Sequence, residues 1–225
     1  MFVSLVAAAA LIGDPVPGKL FAMGGGSTTP EVTRAFIEHV GPSSKILVLG
    51  QAREDVVNAR SSVEWLVENG ARNVTLIDPP EYNEDARAEL RRWLKQAKGV
   101  WIPGGDQELF IGRWGAAFLR ETLGPWVARG GSVFGTSAGA MVMSDPMIYG
   151  PGATRDEVQI GRGVGLTSYL IDTHFRERNR DKRLRHGSSQ TGNRRLLGLD
   201  AGEWVIIQAD KIVFREGNPL VEEPN

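Results

Sequence analysis

Ser137 sits within Gly135-Thr136-Ser137-Ala138-Gly139, directly after the apolar run Ser132-Val133-Phe134. A serine flanked by small residues where a buried strand ends can occupy a tight, strained turn, its hydroxyl lifted above a sheet and backbone N–H groups beside it. That is how a nucleophile is presented. Gly-rich strand-to-helix turns also serve plain packing, so the pattern gains force from a second cluster, Asp172-Thr173-His174-Phe175, which a ladder of arginines follows. A serine hydroxyl at its ordinary pKa is a poor nucleophile. A neutral imidazole at His174 can take its proton during attack and return it to a leaving amine. Ser137 and His174 are therefore the expected catalytic pair. His39 falls in a helical pattern and reads as a surface residue, and three histidines at 39, 174 and 186 are too scattered for a metal cluster.

From Lys19 the chain alternates short β-rich runs with amphipathic stretches, the signature of βαβ units around a largely parallel, doubly wound sheet. The runs Lys19 to Met23, Lys45 to Leu49, Val74 to Ile77, Val100 to Ile102 and Ser132 to Phe134 read as strands. Thr29-Pro30-Glu31 opens a helix with Thr29 as cap, and Ala59 to Val67 and Ala86 to Ala97 supply two more. Glu203 to Gln208 and Lys211 to Phe214, around a short Ala-Asp turn, read as a C-terminal β-hairpin. In such a sheet the chemistry lies beyond the carboxyl ends of the strands. Three glycine-bearing loops should meet there: Gly24-Gly25-Gly26, Pro103-Gly104-Gly105 and the serine turn. The first lacks a phosphate-binding signature. N–H groups at Gly105 and at Ala138 are the expected oxyanion hole.

Composition sets bounds. With 225 residues, 41% hydrophobic, one α/β domain is the default, spanning 19–225. A net charge of −1 gives no global case for nucleic acid or an anionic membrane as partner. Without cysteine there are no disulfides, thiolate metal sites or cysteine nucleophiles. Residues 1–18 read as a signal or a flexible amino-terminal segment. Phe2 to Ile12 is apolar but too short to span a bilayer and lacks a basic n-region, and export is favoured over cytoplasmic residence.

Gly-Gly-Asp-Gln at 104 to 107, Gly-Thr-Ser-Ala-Gly-Ala at 135 to 140 with Met147-Ile148 after it, and Asp172-Thr173-His174-Phe175-x-x-Arg178-x-Arg180-x-x-Arg183-Leu184 resemble the serine peptidase family that contains cyanophycinase and aspartyl dipeptidase. The resemblance runs from about Lys19 to Phe214 and implies a flavodoxin-like, or class I glutamine-amidotransferase-like, fold with Ser137 as nucleophile and His174 as base. It implies no cofactor and no metal, a peptide or cyanophycin substrate, and a homodimer as an open option. Trp93, Trp114 and Trp126 could serve such an interface or a core.

The third triad member is where the chain departs from the family. Cyanophycinases follow Gly-Ile-Asp with a glutamate that orients the histidine, whereas here Leu197-Gly198-Leu199-Asp200 precedes Ala201. In an extended segment Glu203 shares the face of Ala201 and is the favoured substitute; Asp200, or a serine-histidine dyad, remains the alternative. Cyanophycin is a poly-aspartate backbone with arginine on each side chain, so its hydrolase needs cations for the backbone carboxylate and acid or amide groups for the guanidinium. Arg178, Arg180 and Arg183 match the family motif for the first role. Gln107 and Asp172 are the candidates for the second, Asp172 alternatively buttressing the site, and Thr173 stands where close relatives often carry glutamine. The leading expectation is a serine exopeptidase releasing β-aspartyl-arginine through an acyl-enzyme. An aspartyl dipeptidase acting on short peptides, or a catalytically silent binder of acidic peptides, are the alternatives.

Overall fold

The computed structural model describes residues 16–50, 57–192 and 194–223. The apolar run 2–12 lies outside them. The first half winds as β1 (Lys19–Met23), α1 (Pro30–Val40), β2 (Lys45–Leu49), α2 (Val57–Glu68), β3 (Val74–Ile77), α3 (Glu84–Leu94) and β4 (Ala97–Ile102). Then come α4 (Gln107–Trp114), α5 (Ala116–Ala128), β5 (Ser132–Thr136), α6 (Ala138–Met141), β6 (Met147–Pro151) and β7 (Val158–Gly161). The chain finishes with β8 (Leu170–Thr173), α7 (Asp181–Gln190), β9 (Leu196–Leu199), β10 (Trp204–Gln208), β11 (Lys211–Glu216) and β12 (Leu220–Glu222).

Seven strands form the main sheet in the order β11-β10-β1-β5-β4-β2-β3. The five from β1 to β3 are parallel, and β10 and β11 add an antiparallel edge. The parallel strands are apolar at nearly every position because both faces are covered. Leu20, Leu47, Leu49, Val100, Ile102 and Val133 pack beneath Leu90, Phe110, Trp114, Leu119 and Trp126 of α3, α4 and α5. Phe21, Met23, Ile46, Val48, Trp101 and Phe134 pack on the other side with Phe36 of α1 and Leu66 of α2. This is the alternation of a strand read against two apolar layers. Trp114 and Trp126 therefore belong to the core rather than to a surface.

Two differences from the sequence expectation concern element ends. The helix expected over 86–97 stops at Leu94, because Ala97 pairs with Lys45 and Gly99 with Ile46, extending β4 backwards. Thr29 stands at the cap position of α1, yet its side chain makes no capping bond; its carbonyl accepts from the Thr33 N–H and hydroxyl instead. The hairpin turn at Ala209-Asp210 has both residues at positive φ (47 and 58), as a two-residue hairpin requires.

Outside the main sheet, β8 and β9 run parallel with β12 on their edge, and β6 pairs with β7. Since β1, β5 and β4 are parallel neighbours, their carboxyl ends at Met23, Thr136 and Ile102 share one edge. The end of β8 delivers His174 to that edge, where the His174 N–H donates to the carbonyl of Gly24 at 3.2 Å.

Candidate active site

Ser137 leaves β5 with φ 51 and ψ −116, a conformation an L-residue adopts only when its surroundings impose it. The imposing contacts are specific. Its N–H donates to the Met23 carbonyl at 2.9 Å, and its carbonyl accepts from Ala140 and Met141 to start α6. A β-carbon at Gly139 would stand 1.9 Å from the Ile102 carbonyl oxygen, so only glycine lets this turn approach β4 so closely. The result is a half-buried hydroxyl above the sheet.

His174, also at positive φ (52), places Nε2 3.2 Å from Ser137 Oγ. Its Nδ1 lies 2.7 Å from Oε1 of Glu177. A carboxylate only accepts, so the imidazole proton sits on Nδ1 and the Nε2 lone pair faces the serine hydroxyl. That is the tautomer a general base requires. The N–H of Ala138, at the first position of α6, makes no hydrogen bond among the described residues, and neither does that of Gly105. Gly104, next to Gly105, is close enough that its β-carbon would touch Ser137 Cβ at 3.3 Å. Both expected oxyanion donors are therefore near the serine and uncommitted.

The structure places the other expected site residues differently. Glu203 does not meet the imidazole. Its Oε2 accepts from the Asp200 N–H at 2.9 Å, and its Oε1 accepts from the Asn218 N–H at 2.9 Å and from Arg176 at 3.3 Å. Asp200 is equally committed, accepting through Oδ1 from the N–H groups of Arg176 (2.6 Å) and Glu177 (3.1 Å) and through Oδ2 from the Arg176 guanidinium (2.9 Å). The extended geometry that favoured Glu203 fails because the chain turns: the Glu203 N–H donates to the Asp200 carbonyl at 3.1 Å. Glu177 was visible in the sequence only as one acid within the arginine ladder. The signal that points to it is its spacing of three from His174, within the turn that the Arg178 N–H closes on the His174 carbonyl.

Asp172 is wholly buried. Its Oδ1 accepts from Arg180 Nη1 at 2.9 Å and from the Thr173 N–H, and its Oδ2 from Arg183 Nε at 3.0 Å. Burial pushes its carboxyl up, against the opposing pull of Arg183 and Arg180, and burial likewise pushes the Arg180 guanidinium down. Asp172 thus has no open face for a substrate guanidinium and fits the buttressing alternative. Arg180 and Arg183 spend their charge on it. Arg178 differs: it is exposed, and its guanidinium forms no hydrogen bond or ion pair among the described residues. Gln107 is tied down too, its amide donating to the Tyr149 carbonyl at 2.8 Å and so pinning β6 to α4. Thr173 is buried, its hydroxyl on Met141. Arg176, Phe175 and Arg180 also line a cavity of about 430 Å³, together with Arg155, Asp156 and Lys182. Among the described residues no group of three or more histidine, aspartate or glutamate side chains is arranged to hold a metal. No helix among the described residues is long and apolar enough to cross a membrane.

A mostly parallel sheet with a strained serine at the end of β5, met by a histidine from the end of β8 in the neighbouring sheet, is an arrangement suited to an α/β hydrolytic enzyme. The model of Peptidase family S51 matches residues 21–214, and the chain belongs to that family, a family of serine-type peptidases. It is 30% identical over 205 residues to the cyanophycinase of Trichormus variabilis and 29% identical to that of a Nostoc species. Each match takes in 86% of this chain and 68% of the relative. Among solved structures it is similar to a peptidase from an acI-B1 Actinobacterium, with a TM-score of 0.71 at 18% identity over 93% of this chain and 92% of the other. That likeness carries the fold.

Proposed function

We propose that this peptidase hydrolyses cyanophycin, releasing β-aspartyl-arginine through an acyl-enzyme. The observation that carries the proposal is the 3.2 Å contact between Ser137 Oγ and His174 Nε2 at the junction of three strand ends. Ser137 Oγ attacks the peptide carbonyl while His174 takes its proton, and the N–H groups of Ala138 and Gly105 stabilise the oxyanion. Collapse of the tetrahedral intermediate breaks the C–N bond, and His174 protonates the departing amine. Water, deprotonated by the same imidazole, then hydrolyses the Ser137 ester and restores the enzyme. Supporting the substrate are the two cyanophycinase relatives and the open guanidinium of Arg178, a fit for the free α-carboxylates that the polymer carries on its arginines and at its chain end.

Incubation of purified protein with cyanophycin, with products identified by mass and Ser137→Ala run alongside, tests the proposal. Release of β-aspartyl-arginine that the variant lacks is the expected result. Cleavage of short aspartyl peptides with no action on the polymer would move the substrate to the dipeptidase alternative. Full activity in the variant would remove Ser137 as nucleophile.

A further inference from the structure

We infer that Glu177 is the residue that positions His174, holding its tautomer and balancing the imidazolium that forms during acyl transfer. The inference rests on the reading of Ser137 and His174 as nucleophile and base. An exposed ion pair at a spacing of three usually contributes little, about 0–1 kcal/mol, and Glu177 keeps 44% of its side-chain surface in solvent. Three features set it apart from such a pair.

The first is its partner: Oε1 lies 2.7 Å from the ring nitrogen opposite the one that faces Ser137. The carboxylate thus acts on the serine through the ring. The second is its fixation. Oε1 also accepts the Ala201 N–H at 3.2 Å, and the Glu177 N–H is bound by Asp200 at 3.1 Å. Arg176 beside it is clamped by Asp200, Glu203 and the Asn218 carbonyl. The two acids that looked suited to orient the histidine instead anchor the turn that carries the acid that does. The third is the place of Ala201. It offers no carboxylate but puts its backbone N–H on Glu177, so the position where the family places its glutamate now supports the substitute.

A fluorophosphonate probe tests this without knowledge of the peptide substrate, because attack of Ser137 Oγ on its phosphorus, with His174 taking the proton and fluoride leaving, needs the same activated hydroxyl. The rate of Ser137 phosphonylation is measured for the full chain and for Glu177→Gln, Glu177→Asp and Glu177→Gln/Ala201→Glu, each with thermal melting as a check on folding. Glu177→Gln is expected to melt near the parent and to react at least about 100-fold more slowly, since loss of the orienting carboxylate in a serine triad is severe. Glu177→Asp, or a new carboxylate at position 201, should recover at least about tenfold of the loss, as restored orientation requires and mere surface repair does not. Reaction of Glu177→Gln within about threefold of the parent would overturn the inference while leaving the Ser137 reading intact. So would a slow, folded Glu177→Gln that neither companion change improves. A parent chain that fails to label at Ser137 would overturn both.

Discussion

Gly25 lies so close to His174 that a β-carbon there would stand 2.6 Å from Nε2 and 2.8 Å from Cε1, and also 3.1 Å from Cβ of Ser137. The first glycine loop is therefore the floor on which Ser137 and His174, the proposed nucleophile and base, meet. Gly25→Ala should push the imidazole off the serine, and its φ of 109 adds backbone strain. A misplacement of about 1 Å costs on the order of 100-fold. The turnover number on the cleaved peptide should fall by that much while far-ultraviolet circular dichroism is retained. An unchanged turnover number would contradict this geometry.

Asp172 holds two guanidinium groups beneath the site. Asp172→Ala leaves Arg180 and Arg183, both mostly buried, without their counter-charge, and removal of one partner of a buried ion pair costs about 3–5 kcal/mol. Denaturant unfolding should show a loss of that size. A change below about 1 kcal/mol would mean that the arginines find other partners or water.

How far the sequence reached is clearest from which elements it showed. β1 to β5 were legible because each is a short, mostly apolar run bounded by glycine, proline or polar residues, and all but the edge strand β3 are buried on both faces. β6 to β9 were not: Met147–Pro151 and Val158–Gly161 mix glycine, proline and glutamine into short runs, and Leu170–Thr173 finds its partner Leu196–Leu199 only across α7 in a small separate sheet. Within the site, Ser137 and His174 stood out because their chemistry and local motif coincide. The carboxylate did not, since its approach to His174 depends on a turn entered at positive φ and closed by Arg178. Asp172 looked available because its burial follows from the side chains of Arg180 and Arg183, which reach back from the start of α7 and from within it.

Tyr169 is almost fully buried, and its hydroxyl donates to Glu223 Oε1 at 3.2 Å and accepts from Arg195. Burial, with Glu223 and Asp210 adding to it against Arg195, pushes its phenol up to about 12. An unfolded tyrosine ionises near about 10, so between these two pH values the folded state holds a proton that the unfolded state has released. Stability on this account is flat below pH about 10 and falls as pH rises toward about 12. Tyr169→Phe should unfold at a lower urea concentration at pH 8, yet show a shallower further loss between about pH 10 and 12 than the parent. Parallel curves for the two proteins across that range would refute the coupling.

Arg178 is the motif arginine with an exposed guanidinium and is the one proposed to meet substrate, whereas Arg180 and Arg183 are bound to Asp172. A charge-assisted hydrogen bond to a substrate carboxylate contributes about 1.5–3 kcal/mol, so Arg178→Ala should raise KM on an aspartyl substrate by roughly 10- to 100-fold. Because the guanidinium neither supports the core nor touches the reacting atoms, melting temperature and turnover number should stay close to the parent. The charge is exposed, so raising ionic strength from about 0.05 to 0.5 M should weaken the parent's KM and leave the variant's nearly unchanged. A variant whose KM matches the parent at low salt would show that the substrate carboxylate is held elsewhere. In that event Arg155 and Lys182, two of the cations that line the cavity of about 430 Å³, would be the next to replace.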